Sequence, residues 1–471
     1  MARRPGRSLA VDVITPFVLV VLRFVVVIGI LILVHELGHF FVARWTGVGV
    51  ERFSIGFGPV LLRWRGKETE YVLSAIPMGG YVKMVGEENP LEGGGGPMVD
   101  ASRAFTGKPL WARFLIVFAG PAMNLVLAVV IFAVVLATLG RAVWPAVVGK
   151  VAETSPAATA GLRTGDTIVA VNGQSVAYWE DLDRAIVRSN GRPLELRMRR
   201  GEAELTAVVT PRLRTLPDPV FREPREVWDL GAGPQLLPVI TSVGPGSPAE
   251  RAGLKPGDVV TTVAGQPLYT HEDLLEAIRT RPGQSFALTV ERDGQPLPLT
   301  VTPEPVTERP PTGEEIVVGK IQAGLAAKAV KFEPYSPLTA MWQGGVKTWD
   351  MTVLTTKGLW KLVTRQLDLS NIGGPIQIAA ETTRQANEGL VSVAVFVAII
   401  SVNLAVLNLL PIPMLDGGHL LFFLIEAILG RPLSLRKREV AQQVGFVLLM
   451  MIMVFALYND LTRLNVFKFL R

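Results

Sequence analysis

The 471-residue chain has no cysteine and only four histidines. Without thiols it can form no disulfide, thiolate metal site or cysteine nucleophile, so any metal must sit on imidazole, carboxylate or carbonyl groups. Charge is scarce as well. Asp, Glu, Lys and Arg make up 19% of the residues, against about 25% in soluble domains. The 47 basic and 41 acidic residues leave a formal charge of +6 with no dense basic block, which argues against nucleic acid as a partner. What is abundant is apolar surface. Hydrophobic residues are 49% of the chain and its mean hydropathy is +0.37, a composition that leans toward the membrane without being apolar throughout.

Four apolar runs are long enough to cross a bilayer, which takes about 20 helical residues. The spans are predicted over 16–43, 112–140, 390–430 and 441–458, the third being a helix, a break and a following helix. Residues 1–15, with Arg3, Arg4 and Arg7, read as an N-terminal extension. The first run is too long for a signal-peptide core and no small-residue cleavage site follows, so it reads as a retained helix with Arg23 reaching toward the nearer interface. Lys and Arg crowd the segment after the first span (Arg44, Arg52, Arg63, Arg65, Lys67, Lys83) and the short loop 431–440 (Arg431, Arg436, Lys437, Arg438). The positive-inside rule places both in the cytoplasm and the long region 141–389 outside it, although the three N-terminal arginines point the other way. Residues 459–471 form a tail.

The exported region contains a repeat. SPAATAGLRTGDTIVAVNGQ from Ser155 matches SPAERAGLKPGDVVTTVAGQ from Ser247 at an offset that also aligns Glu180-Asp181-Leu182 with Glu272-Asp273-Leu274. Each copy reads as a short helix, a Gly-Asp turn, a β-branched strand, a tight turn and a second helix. Two mixed α/β, β-rich modules are expected, over 141–222 and 223–308. They resemble PDZ domains, which bind extended peptides and chain ends by strand addition; spacers or steric filters with empty grooves are the alternative. A connecting segment with an amphipathic helix fills 309–389. Between the first two spans, 44–111 alternates apolar and polar residues between glycine turns, as β-hairpins do, and then becomes a Gly-rich loop.

The chemistry is concentrated in the spans. His35-Glu36-Leu37-Gly38-His39 puts two imidazoles four residues apart on one helix face, where both can hold one metal ion. Glu36 lies on the adjacent side, placed to take a proton from a water that the metal activates. Ionisable groups inside an apolar helix are costly and mark function. A catalytic zinc needs a third protein ligand and an open position. The third span supplies one in Asn408-Leu-Leu-Pro-Ile-Pro-Met-Leu-Asp416-Gly-Gly-His419, where Pro411 and Pro413 break the helix and Gly417-Gly418 allow a sharp turn. His419 reads as a packed histidine, with a supporting or spare ligand role as the alternative. Asn124 in the second span reads either as a polar position lining the site or as an interhelical hydrogen bond.

HELGHF, AGPAMN and NLLPIPMLDGGH together resemble the site-2 protease family of intramembrane zinc proteases. RFSIGFGP, AIPMGGYVKM and NIGGPIQIA, with the two PDZ-like modules, resemble its bacterial branch. The resemblance covers nearly the whole chain. It implies a multi-domain membrane protein: a four-span α-helical zinc protease core, a membrane-associated β-sheet and two tandem PDZ domains. It further implies one zinc ion on His35, His39 and Asp416, Glu36 as the catalytic residue, and Asn408, with Asn124, toward the substrate. The expected setting is the bacterial inner membrane, with the active site toward the cytoplasm and the PDZ domains periplasmic. Expected partners are single-span membrane proteins already trimmed outside, such as anti-sigma factors, together with remnant signal peptides and membrane lipid. Two other classes fit less well. A scaffold with a structural zinc would close it with four ligands and leave Glu36 idle. A metal transporter would repeat its spans, whereas the repeat here lies outside them.

Overall fold

The computed structural model describes residues 9–86, 101–218, 220–221, 223–308, 316–327, 331–368 and 372–463. Arg3, Arg4 and Arg7, most of the Gly-rich loop and the last eight residues lie outside them. The chain forms two compact units, one of the residues up to 139 with those from 334, the other of 140–333.

The first unit begins with α1 (Leu9–Trp45), whose apolar stretch from Val18 is long enough to cross a membrane. It ends where Gly47 turns to φ +74° and the Val48 N–H closes back on the Ala43 carbonyl, the left-handed stop that favours glycine. The hairpin β1 (Val50–Arg65) and β2 (Glu70–Met84) follows and is doubled over: 52–55 pairs with 80–83 on one side and with 70–73 on the other, and 62–65 pairs with 70–73. Val50, Phe53, Val82 and Met84 bury one face against Ala43 and Ile116, and Leu61, Leu62 and Trp64 are exposed on or beside the outer stretch 62–65. α2 (Leu110–Thr138) packs along α1. The two helices approach closely at Gly38, where a Cβ would collide with the Ala119 carbonyl.

The second unit holds two modules built alike. In the first, α3 (Pro156–Thr159) and α4 (Trp179–Ser189) cover a four-stranded sheet running 174–175, 167–171, 194–200, 203–209. In the second, α5 (Pro248–Arg251) and α6 (His271–Arg279) accompany the sheet containing 238–243, 259–263, 286–292, 295–301 and 323–327. The Ser of each SPA sequence caps the short helix: Ser155 Oγ accepts from the Ala158 N–H and Ser247 Oγ from the Glu250 N–H. In each Gly-Asp turn the buried carboxylate takes a two-toothed bond from an arginine 34 residues on, Asp166 from Arg200 and Asp258 from Arg292.

The division between modules falls later than 222/223. Strand Ala232–Pro234 pairs with Val148–Val151, and Leu230 is buried in the first core. Likewise Ala323–Ala327 pairs with Pro238–Val243 and Ile321 joins the second core, which therefore extends beyond 308. Each module is completed by a strand that returns from well beyond its repeated segment.

The chain then re-enters the first unit. α7 (Pro337–Val363) lies along α2 through Ala340, Gly344 and Thr348, one small residue per turn. A Cβ on Gly344 would stand 2.7 Å from the Val129 carbonyl, so only glycine permits this approach. α8 (Pro375–Glu388) follows, and Asn387 near its end accepts from Arg23. α9 (Leu390–Asn408) packs between α2 and α7; α10 (Asp416–Leu429) and α11 (Leu435–Arg463) complete the unit. Asp460 of α11 caps α8 by accepting the N–H groups of Gly374, Ile376 and Gln377. The expected loop 431–440 is helical from Leu435, so Arg436, Lys437 and Arg438 form the first turn of α11. Among the described residues four helices, α1, α2, α9 and α11, are long and apolar enough to cross a membrane.

Candidate metal centre

α1 sets His35 and His39 one turn apart on the face it turns to α2, and their Nε2 atoms lie 3.2 Å from each other. Asp416, at the start of α10, brings Oδ2 to 3.1 Å from His35 Nε2 and Oδ1 to 3.6 Å from His39 Nε2. Among the described residues these three form the one cluster in which ligand atoms from three such side chains lie within 4.8 Å of one another. The carboxylate reaches this position because the chain between α9 and α10 folds back tightly. A Cβ on Gly417 would collide with the Leu409 and Leu410 carbonyls, and one on Gly418 with that of Ile412. α10 is braced on α2 by Arg113, whose guanidinium grips Glu426 at 2.5 and 3.2 Å inside the bundle.

The donor set fits a metal. The Ile116 carbonyl can only accept, so His39 Nδ1, 2.8 Å away, carries the ring proton and leaves the Nε2 lone pair free. Asp416 Oδ2 is buried and lacks a hydrogen bond of ordinary geometry. Room for the two rings comes from Gly120 of α2, where a Cβ would collide with His39 Nε2 and stand 2.8 Å from His35 Nε2. Two imidazole nitrogens and one carboxylate with a fourth position open suit zinc in a catalytic setting.

Glu36 is buried beside this cluster. Its other neighbour is the hairpin, since Gly80 of β2 packs directly on the Glu36 side chain. His419 lies one turn beyond Asp416, edge-on to Phe422 and outside the ligand cluster. Asn408 ends α9, partly exposed, where the chain leaves the helix for the break. Asn124 is fully buried: its Nδ2 lies 3.2 Å from His35 Nδ1, and Ser401 of α9 donates to its backbone carbonyl at 2.7 Å. It therefore stands behind His35 and not on a surface open to substrate.

Sequence reasoning singled out the three candidate ligands and Glu36 but not Gly38, Gly80, Gly120, Ser401 or the Ile116 carbonyl. Four of these fall in or beside HELGHF, AGPAMN and AIPMGGYVKM, so the stretches were visible. What each must make room for or bond to is contributed by another helix or strand.

Comparison with known proteins agrees with this geometry. The sequence profile of peptidase family M50 matches residues 23–452. A protein named protease RseP from Yersinia pestis is 39% identical over 455 residues, covering 94% of this chain and 98% of its own length. The regulator of sigma-E protease RseP of Escherichia coli (strain K12) is 39% identical over 462 residues, with the same coverage. A protein of Ralstonia nicotianae named as a zinc metalloprotease is 39% identical over 463 residues, covering 95% and 99%.

Proposed function

Since the chain belongs to peptidase family M50 and is a membrane-embedded zinc metalloprotease, we propose that it hydrolyses peptide bonds in or beside the transmembrane segment of single-span membrane proteins. His35, His39 and Asp416 hold one zinc ion and Glu36 is the general base. The observation that carries this reading is the convergence of two Nε2 atoms and one carboxylate beside a buried Glu36, inside helices long enough to span a bilayer.

Zinc, when bound, supplies Lewis acidity toward the scissile carbonyl and lowers the pKa of water to about 7. The chain's own groups do the rest. Glu36 takes the water proton and returns one to the leaving amine. A substrate helix hides its peptide bonds in its own hydrogen bonds and must unwind before attack. The β1–β2 hairpin, with Gly80 against Glu36, offers backbone groups to pair with the unwound strand, and Asn408 fixes its main chain. This reading is favoured by Gly80, whose missing side chain brings the strand backbone next to the base.

The two repeated modules are read as PDZ domains on the outer side of the bacterial inner membrane, screening substrates by bulk or holding newly cut chain ends. The basic first turn of α11 and the hairpin lie on the cytoplasmic side in this orientation. The Escherichia coli relative is named for sigma-E regulation. On that likeness the substrate class is extended to anti-sigma factors already trimmed outside, with remnant signal peptides as a further class.

The test uses purified full-length protein in detergent and a tagged single-span substrate lacking its outer domain. Cleavage by wild type and not by Glu36→Gln, with about one zinc retained by each, is the expected result. Zinc in both but cleavage by neither, across several trimmed substrates, would overturn it.

A further inference from the structure

The two histidines of the metal centre are oriented by different means. His39 faces a backbone carbonyl, which has only acceptor capacity and so fixes which nitrogen is free. His35 faces the Asn124 amide, which can either donate or accept. As placed, Nδ2 points at His35 Nδ1, and Asn124 Oδ1 is buried without a partner. In that arrangement the amide donates to Nδ1, the ring proton of neutral His35 sits on Nε2, and the nitrogen facing His39 and Asp416 has no lone pair to give. Turning the amide by half a rotation puts Oδ1 against Nδ1–H and frees Nε2. It also gives the buried Oδ1 the partner it lacks as placed.

The Asn124 side chain can do this only if its backbone is held at the right depth between α1 and α9. Ser401, itself fully buried, supplies that hold by donating to the Asn124 carbonyl at 2.7 Å. Polar groups facing each other between apolar helices are seldom there by chance, because each would be costly alone. The chain Ser401–Asn124–His35–Asp416 ties α9, α2, α1 and α10 together at the level of the metal site.

We infer that Asn124, seated by Ser401, is a positioning residue that presents His35 Nε2 to the metal by accepting from its Nδ1–H, and that it does not touch substrate. The inference rests on the zinc site proposed above. It makes the side-chain oxygen of residue 124 the feature that matters, more than its size. Asp in its place keeps an acceptor, whereas Leu keeps the volume and loses it.

The experiment measures zinc affinity of the full chain in detergent by competition with a chromophoric chelator, and records the visible spectrum of the cobalt-loaded protein. Asn124→Leu is expected to weaken zinc binding about 10- to 100-fold and alter the cobalt spectrum. Asn124→Asp is expected to stay within about threefold of wild type, with the wild-type spectrum. Ser401→Ala, which removes one hydrogen bond and little volume, is expected to fall between them. Should Asn124→Leu not purify as a folded protein, Asn124→Ala provides the same contrast with Asn124→Asp. Wild-type affinity and spectrum in Asn124→Leu, with only KM raised, would assign the residue to substrate and sink the inference. Equal losses in the Asp and Leu variants would also sink it, since size and not the acceptor would then matter. Absence of zinc from the wild type would instead remove the metal site itself, so the two failures are distinguishable.

Discussion

Gly80 of β2 and Glu36 of α1 are in direct contact: a methyl group on Gly80 would lie 2.9 Å from Glu36 Cγ and 2.7 Å from the Ser54 carbonyl. One strand backbone thus forms a wall of the pocket that holds the proposed base. Gly80→Ala is expected to push the Glu36 side chain out of place and lower kcat by about 100-fold, within the range general acid–base catalysis supplies. Zinc content should be unchanged, because the added methyl group meets Ser54, Glu36 and Ile32 and none of the three ligands. Steady-state kinetics with metal analysis checks this, and loss of zinc in parallel with activity would contradict it.

Gly120 has a different neighbour. Its hydrogen faces the two imidazoles, and an added methyl group would meet His39 Nε2 and His35 Nε2 together. Gly120→Ala is therefore expected to abolish stoichiometric zinc binding, with a helix content no lower than wild type since Ala favours helix by about 1 kcal/mol. Metal analysis beside circular dichroism tests the pair of outcomes.

α11 meets the break before Asp416 where Gly445 approaches the Pro413 carbonyl so closely that no Cβ fits. Gly445→Val should force α11 away from that segment and loosen the Asp416 carboxylate. The expected result is zinc affinity down by about tenfold, the lower range for losing support around a ligand. A chelator competition on the purified variant decides it.

In the second module, burial alone would raise the Asp258 carboxyl. The Arg292 guanidinium and the Lys255 N–H outweigh that and hold it below the usual carboxylate range. A folded-state pKa below the unfolded one means stability that is present above about pH 4 and is lost as pH falls through the folded value. Asp258→Asn should then cost about 2–3 kcal/mol at pH 7, as for hydrogen bonds to a charged group. The gap to wild type should close as the pH drops below about 4. Hydrogen exchange of the 238–327 strands in the full chain, followed across pH, would show it; a constant gap at all pH values would refute the ionic origin.

How much was legible follows from how local each feature is. His35 and His39 were readable because helical periodicity alone puts positions four apart on one face. Asp416 was readable because two prolines and two glycines announce a break, and an acid there needs a partner. The repeat exposed the Gly-Asp turns at 165–166 and 257–258, and their arginines, also 92 apart, lay in the same alignment unread. The strand at 232–234 was assigned to the wrong side of the module division. It pairs with Val148–Val151, some eighty residues earlier, and nothing in its own composition records that partner. Asn124 showed its polarity but not its direction.

The sequence by itself determined the spans, the candidate metal-binding residue types and the two-copy repeated region, since these depend on apolar length, residue chemistry and short-range spacing. Only the tertiary structure decided that Gly120 opens space for the imidazoles, that Gly80 brings a strand onto Glu36, and that Asn124 stands behind His35. Those are contacts between segments remote in the chain, where close packing leaves room for a single arrangement and the identity of the neighbour is fixed by the fold.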